Sequence, residues 1–172
     1  KMPDNETQLR SLLDKRSASN SYRSINDTSA RLIDFSSNDY LGLAQSQTLK
    51  HNIIEAYRDE SLSKNGSTGS RLLTGTSPIL RKTEDYLCAL FKAPAGLLFN
   101  SGYMANLSFF SSVPQKGDTI LYDELSHACI KDGCRLSLAT KFPFKHNDLN
   151  QLEQKLQRAS GEIYIACESV YS

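Results

Sequence analysis

The sequence predicts an α/β fold, a mostly parallel sheet flanked by helices. Three observations carry that prediction. From about residue 79 onward, short apolar runs that read as buried strands alternate with segments of helical period. The connections between them are short. Proline, glycine or a capping residue marks most of the boundaries.

Taken in chain order, Glu6 to Arg16 reads as a polar amphipathic helix. An irregular stretch follows and leads into Leu32-Ile33-Asp34-Phe35. Thr48 to Glu60 has helical period, which turns Ile53, Ile54 and Tyr57 inward. Residues 64–78 form a Gly/Ser/Thr-rich loop, Lys-Asn-Gly-Ser-Thr-Gly-Ser-Arg-Leu-Leu-Thr-Gly-Thr-Ser-Pro. Ile79 to Phe91 is a helix with Leu80, Thr83, Leu87 and Leu90/Phe91 on one face. Ala93-Pro94 ends it, because proline disfavours helical geometry in the residue before it. Leu97-Leu98-Phe99 reads as a short buried strand, and Tyr103 to Ser112 as a helix with Tyr103, Leu107 and Phe110 aligned. Thr119 to Tyr122 is a strand after the turn at Lys116-Gly117-Asp118, and His127 to Leu138 a helix. Lys141 to Phe144 fits a short or edge strand. Asn147 or Asp148 caps a helix whose apolar face is Leu149, Leu152 and Leu156. Ile163 to Cys167 is a buried strand.

Composition narrows the function classes. The chain has 172 residues, 39% hydrophobic and 23% charged, enough to bury one sizeable core. Twenty basic and nineteen acidic side chains leave a net charge of +1 without a long basic block, so nothing electrostatic argues for nucleic acid or an anionic membrane surface. No apolar run approaches the roughly 20 residues needed to span a bilayer. The polar start, Lys1 to Glu6, lacks the apolar stretch of a signal peptide, and a cytoplasmic location is expected. Cys88, Cys129, Cys134 and Cys167 match no zinc spacing and are expected to be reduced thiols, Cys88 and Cys167 buried in apolar segments.

Candidate chemistry begins at Phe99-Asn100-Ser101-Gly102-Tyr103, where a strand ends, a Ser-Gly turn follows and a helix starts. A helix N-terminus offers unpaired amides and the positive end of the dipole, so this geometry can hold a phosphate. Ser101 can cap the helix and offer its hydroxyl; Gly102 keeps a Cβ out of an anion's path. An ordinary capped helix has the same pattern. The loop at Asn65 to Thr76 contains neither a P-loop nor a dinucleotide fingerprint, and Arg71 is its one fixed positive charge. His127 starts a helix after a strand, at the carboxyl edge where ligands bind in parallel sheets. It can be a base, a ligand, a flat stacking surface or simply a cap. Asp123, Glu124 and His127 have no second histidine beside them, so no metal site is expected. His146 is placed in a turn and His51 on a polar helix face, neither with a catalytic role.

Several of these segments, in this order, resemble the α-oxoamine synthase family of pyridoxal-phosphate enzymes. Phe35-Ser36-Ser37-Asn38-Asp39-Tyr40-Leu41-Gly42-Leu43 is similar to the family's leading motif, and Gly66-Ser67-Thr68-Gly69-Ser70-Arg71 to its Gly-rich loop. Ser101 to Asn106 resembles its Ser-Gly-Tyr/Phe-x-Ala-Asn turn, and Ser126-His127-Ala128 its stacking histidine. Asp132 to Ser137, His146-Asn147-Asp148 and Glu168 to Ser172 follow in register. One such motif would be weak; seven in order are specific.

The resemblance implies the fold of type I pyridoxal-phosphate transferases (aspartate aminotransferase-like), incomplete in this chain. It also implies a homodimer with shared active sites. Residues 1–45 would be the N-terminal helix and leading segment, and 46–172 the N-terminal part of the large cofactor-binding domain. The implied activity is condensation of an amino acid with an acyl thioester, with loss of carbon dioxide. Gly-Ser-x-Gly-Ser-Arg with His-Asn-Asp is most similar to the biotin-pathway branch, which joins L-alanine to pimeloyl-CoA or pimeloyl-ACP. Serine palmitoyltransferase and 2-amino-3-ketobutyrate CoA ligase share most of the motifs, and a non-catalytic phosphate-binding module is the reading from a different class. By the resemblance, Ser101 and the amides of Gly102 and Tyr103 would hold the cofactor phosphate. His127 would stack on the pyridine ring as the catalytic histidine, and Ser172 would lie near the phenolic oxygen. Asn38 and Arg23 would bind the amino-acid carboxylate, for which a guanidinium is suited by its bidentate geometry. Leu80 stands where the family often has histidine, and no lysine here stands in the family's Schiff-base motif. The chain is therefore expected to be the N-terminal part of an enzyme, inactive alone.

Overall fold

The computed structural model describes residues 5–25, 33, 35–59 and 65–171. Its contacts divide into two units, Lys1–Ser63 and Lys64–Ser172.

In the first unit, helix α1 spans Asn5–Ala18 and carries an Arg10–Glu6 pair at 2.7 Å, one turn apart. All its described side chains are exposed, Leu9, Leu12 and Leu13 included. Further on, the Asp39 carboxylate accepts from the amides of Leu43 (2.8 Å) and Ala44 (3.1 Å), capping a single 3₁₀ turn at Leu43–Gln45. Gly42 reaches that turn with φ 66°, a left-handed conformation that suits glycine. Helix α2 spans Gln47–Asp59, with the Leu49 amide donating to Ser46 Oγ at 3.1 Å. Ile53, Ile54 and Tyr57, expected inward, are exposed. Local periodicity makes the helix, whereas burial needs a covering element, and none among the described residues of this unit covers that face. Leu32, Asp34 and Lys64 lie outside the described residues.

The second unit opens with the Gly-rich loop and helix α3, Pro78–Phe91. Ser77 caps α3 by accepting from Leu80 N, and Pro78 occupies the first turn, where no amide proton is needed. The helix stops at Phe91 as Lys92 turns left-handed (φ 52°), two residues before Pro94. Its covered face is narrower than predicted: Leu80 and Leu87 are half-buried, but Thr83, Leu90 and Phe91 are exposed. Leu97-Leu98-Phe99 is not a buried strand; Leu97 and Phe99 are exposed and no strand pairs with the segment among the described residues. The Leu98 amide goes instead to Glu84 Oε1 at 2.8 Å, which removes a donor that a ladder would need.

Helix α4 (Gly102–Ser112) then leads to strand β1 (Thr119–Asp123), helix α5 (Ala128–Leu136), strand β2 (Thr140–Phe144), helix α6 (Leu149–Leu156) and strand β3 (Ile163–Ala166). The three strands form a parallel sheet in the order β2-β1-β3. Central β1 is covered on both faces, and Thr119, Ile120 and Leu121 are fully buried. Its register pairs Leu121 with Phe142 on one side and with Ile165 on the other. Pro143 fits because β2 is a sheet edge. Strand β3, predicted buried, is mostly exposed at Ile163 and Ile165, since β1 is its one partner among the described residues.

Helices α4 and α5 pack at close range because α5 presents Gly133. A Cβ there would stand 2.8 Å from Phe110 Cβ and 3.1 Å from the Leu107 carbonyl. The core beneath is Phe110, Ile120, Cys129, Ile130, Cys134, Ala139 and Ala166. The buried thiols are thus Cys129 and Cys134, whereas Cys88 and Cys167, both expected to be buried, are half-buried and exposed. All four are free. In α6, Asp148 is the cap, accepting from Gln151 N at 2.8 Å, and Asn147 takes a left-handed φ of 56°. Leu152 and Leu156 are half-buried, and Leu149 is exposed.

Candidate active site

The site is built where the connection after residue 99 meets α4 and where β1 runs into α5. Ser101 caps α4: its Oγ accepts from Met104 N–H at 3.2 Å, leaving its own O–H free to donate. The amides of Gly102 and Tyr103 have no hydrogen-bond partner among the described residues. A Cβ added at Gly102 would meet no atom within 4 Å, so open space lies beside these amides. Two unpartnered N–H groups at a helix start, next to open space, form an anion-binding geometry.

The side chain of Tyr103 links this cradle to α5. Its hydroxyl donates to Asp132, which Arg135 also holds at 2.5 Å. The Asp132 bond raises the Tyr103 hydroxyl above its usual range, and Tyr103 and Arg135 together lower Asp132 against the opposing effect of burial. The Tyr103 ring meets the His127 ring edge-on, centroids 6.0 Å apart. His127 is the cap of α5 rather than its first helical residue: its Nδ1 accepts from Cys129 N–H at 3.2 Å. Its own amide donates to Glu168 Oε2 at 2.7 Å, tying the segment after β3 to the start of α5.

Asp123, the last residue of β1 and four positions before His127, is buried. Burial pushes its carboxyl up, but hydrogen bonds from Leu125 N (2.8 Å), His146 and Asn147 N outweigh burial and hold it below its usual range. His146 Nδ1 sits 3.0 Å from Asp123 Oδ2, and its ring packs edge-on against Tyr171 at 4.6 Å. The Tyr171 hydroxyl in turn accepts from Glu168 N at 3.0 Å. His146, read from sequence as a turn residue, therefore braces the Glu168–Tyr171 segment. Ser126 Oγ, between Asp123 and His127 in sequence, is buried with no hydrogen-bond partner among the described residues. The Cys134 thiol, buried in α5, is pushed up to about 11 by desolvation and stays protonated at neutral pH.

Arg71, the fixed charge of the Gly-rich loop, is occupied by a structural partner. Its guanidinium grips Glu84 of α3 with two bonds, 2.7 and 2.8 Å, and reaches the Leu98 carbonyl at 3.4 Å. That bidentate pair, helped by the Leu98 amide, lowers the Glu84 carboxyl to about 2.

Of the residues singled out in the sequence, Ser101, Gly102, Tyr103 and His127 lie together in the second unit. Asn38 and Arg23 are exposed residues of the first unit, and Ser172 lies outside the described residues. Sequence reasoning missed Asn106, Cys129, Asp132 and Glu168 as supports of the site. The one available signal was the presence of Asn106, Asp132 and Glu168 inside the motifs, without any indication of what each touches; Cys129 stands just after the Ser126-His127-Ala128 motif. Among the described residues no cluster of His, Cys, Asp and Glu could hold a metal ion, and no helix is long and apolar enough to cross a membrane.

The chain is similar to several known proteins. A Bacillus licheniformis protein, provisionally named 8-amino-7-oxononanoate synthase, is 43% identical over 166 residues, covering 95% of this chain and 43% of its own length. The solved 8-amino-7-oxononanoate synthase from Francisella tularensis superposes with a TM-score of 0.64 at 31% identity, over 83% of this chain and 38% of that one. A serine palmitoyltransferase from S. paucimobilis, solved with a bound PLP–myriocin aldimine, superposes with a TM-score of 0.75 at 26% identity, over 99% of this chain and 48% of its own. The chain spans less than half the length of each of these relatives. Its fold is that of the pyridoxal-phosphate-dependent transferases, represented by a small parallel sheet with flanking helices. Residues 30–172 match the family described as aminotransferase class I and II, and the chain belongs to that family.

Proposed function

We propose that the intact protein is a pyridoxal-phosphate-dependent α-oxoamine synthase that condenses L-alanine with a pimeloyl thioester to give 8-amino-7-oxononanoate. The observation that carries this reading is the pair of unpartnered amides at Gly102 and Tyr103, set beside open space and linked through the Tyr103 ring to His127. This arrangement fits a phosphorylated planar cofactor: the α4 N-terminus takes the phosphate and His127 offers a flat face. Bound there, the cofactor would serve as the electron sink for carbanion chemistry at the amino-acid α-carbon. The residues here would then hold and orient. Ser101 O–H and the two amides bind phosphate; Tyr103, pinned by Asp132, keeps the helix start in place; the Glu168 bond to its amide keeps the His127 backbone in place. Asn38 and Arg23 would receive the amino-acid carboxylate, and Ser172 would approach the cofactor's phenolic oxygen. Residues 46–172 would form the N-terminal part of the large cofactor domain of a homodimer, acting in the cytoplasm on acyl-CoA or acyl carrier protein thioesters. By themselves, residues 1–172 are expected to lack synthase activity.

The preference for L-alanine and a pimeloyl group rests on similarity to 8-amino-7-oxononanoate synthases. Serine palmitoyltransferase chemistry is the second reading, favoured by structural likeness over nearly the whole chain. The test is to purify the intact protein with pyridoxal phosphate and titrate alanine and serine separately while following the cofactor absorbance. An alanine-dependent change and carbon dioxide release with pimeloyl-CoA support the proposal. A serine-selective response moves the assignment to the second reading. Failure to retain cofactor under any loading condition overturns both, leaving a phosphate-binding module.

A further inference from the structure

We propose that Cys129 is a positioning residue for His127, fixing its imidazole as the neutral tautomer that carries its proton on Nε2. The Cys129 amide donates to His127 Nδ1 at 3.2 Å. An amide can only donate, so Nδ1 must hold a lone pair, and a neutral ring then bears its proton on Nε2. The thiol of the same residue lies 2.9 Å from the same Nδ1. Its sulfur receives a further hydrogen bond from Asn106 Nδ2, at 3.2 Å. The three contacts form one consistent circuit. Asn106 donates to sulfur, sulfur donates its S–H to Nδ1, and the backbone amide donates to Nδ1 beside it. With sulfur accepting from Asn106, the thiol proton has Nδ1 as its acceptor.

The alternative pairing of a thiolate with an imidazolium, as in a cysteine nucleophile, needs a proton on Nδ1. That proton would face the Cys129 N–H, two donors opposed, and the circuit would break. Cys129 is also almost fully buried, so no substrate reaches its sulfur. Its role is therefore to hold the histidine. A buried thiol at the second position of α5 and an asparagine in the second turn of α4 together set which edge of the imidazole can donate. Nε2–H is left as the donor available to a bound ligand. What that donor does for turnover rests on the function proposed above; the tautomer itself does not.

The experiment uses the intact protein with ¹⁵N-labelled histidine rings, in wild-type, Cys129→Ser and Cys129→Ala forms, with the His127 resonances assigned by a His127→Gln variant. The wild type is expected to show the Nε2–H signature with or without cofactor and no thiolate ultraviolet absorption at neutral pH. Cys129→Ser, which keeps a hydroxyl donor, should retain the signature and near wild-type kcat. Cys129→Ala should give exchanging tautomers and a kcat lower by about tenfold, the scale of one hydrogen bond, at unchanged cofactor content. An Nδ1–H signature or a thiolate band in the wild type would overturn the inference. So would an alanine variant matching the wild type in both tautomer and kcat. Should the alanine variant not fold, the wild-type spectrum and the serine variant still decide. A protein that shows the Nε2–H signature but never retains pyridoxal phosphate would sink the proposed function and leave this inference standing.

Discussion

At the scale of single residues, the site illustrates how much depends on partners that sequence does not display. His127 is legible in the sequence as a functional candidate because it follows a strand and opens a helix, but its capping bond, its contact with Cys129 and its amide bond to Glu168 arise only in the folded chain. His127→Ala is expected to lower cofactor affinity and turnover together, by removing both the flat face and the α5 cap; equilibrium dialysis against pyridoxal phosphate alongside steady-state kinetics checks this. Ser126 makes the opposite kind of prediction. Its buried hydroxyl has no partner among the described residues, and an unsatisfied buried polar group costs about 1–3 kcal/mol. Ser126→Ala should therefore raise stability by roughly 1 kcal/mol in urea denaturation, provided no ligand uses that hydroxyl.

At the scale of elements, two contacts hold the site's framework. Gly133 lets α5 approach α4. With Phe110 Cβ at 2.8 Å and two carbonyls of α4 just beyond, an added methyl group has no flexible neighbour to displace. Gly133→Ala should destabilise by about 1–3 kcal/mol and move Tyr103 relative to His127, seen as weaker cofactor binding as well as a lower urea midpoint. The second contact is Arg71 with Glu84, which fastens the Gly-rich loop to α3 and to the Leu98 amide. The folded Glu84 carboxyl lies near 2, below its ordinary 4.5. A depressed acid contributes its full stability above the ordinary value and loses it as pH falls toward the folded one. The thermal midpoint of the intact protein should thus fall between pH 4.5 and 2, and Glu84→Gln should reduce that acid dependence while lowering the midpoint at neutral pH. Sequence placed the helices here well, because caps and period are local. It misplaced the strand at 97–99, because the side chain of Glu84, fourteen residues upstream, captures the Leu98 amide that a ladder would have used.

At the scale of the whole molecule, the most informative feature is the apolar surface. Ile163 and Ile165 of β3 are 43% and 48% exposed, and Leu97, Phe91 and Val170 more so. Strand edges and apolar patches of this kind invite association. Residues 1–172 prepared alone should bind a hydrophobic dye and self-associate, and Ile163→Lys with Ile165→Lys should reduce both. Sedimentation velocity and dye fluorescence measure the outcome; a monodisperse, dye-silent segment would contradict it.

The sequence by itself determined the α/β class, the order of nearly all elements, the Ser101–Gly102 helix start and the candidacy of His127. Each is written in local patterns: apolar period, capping residues and motif order. Tertiary structure alone decided which faces are covered, that Arg71 is bound to Glu84 and that His146 is held by buried Asp123. It alone showed that Asn106 and Cys129 converge on His127. The reason is physical. A helix or a cap depends on residues within a few positions of one another, whereas burial, the Arg71–Glu84 pair, the Asp123–His146 contact and the Asn106 bond to Cys129 depend on groups brought together from thirteen or more positions apart.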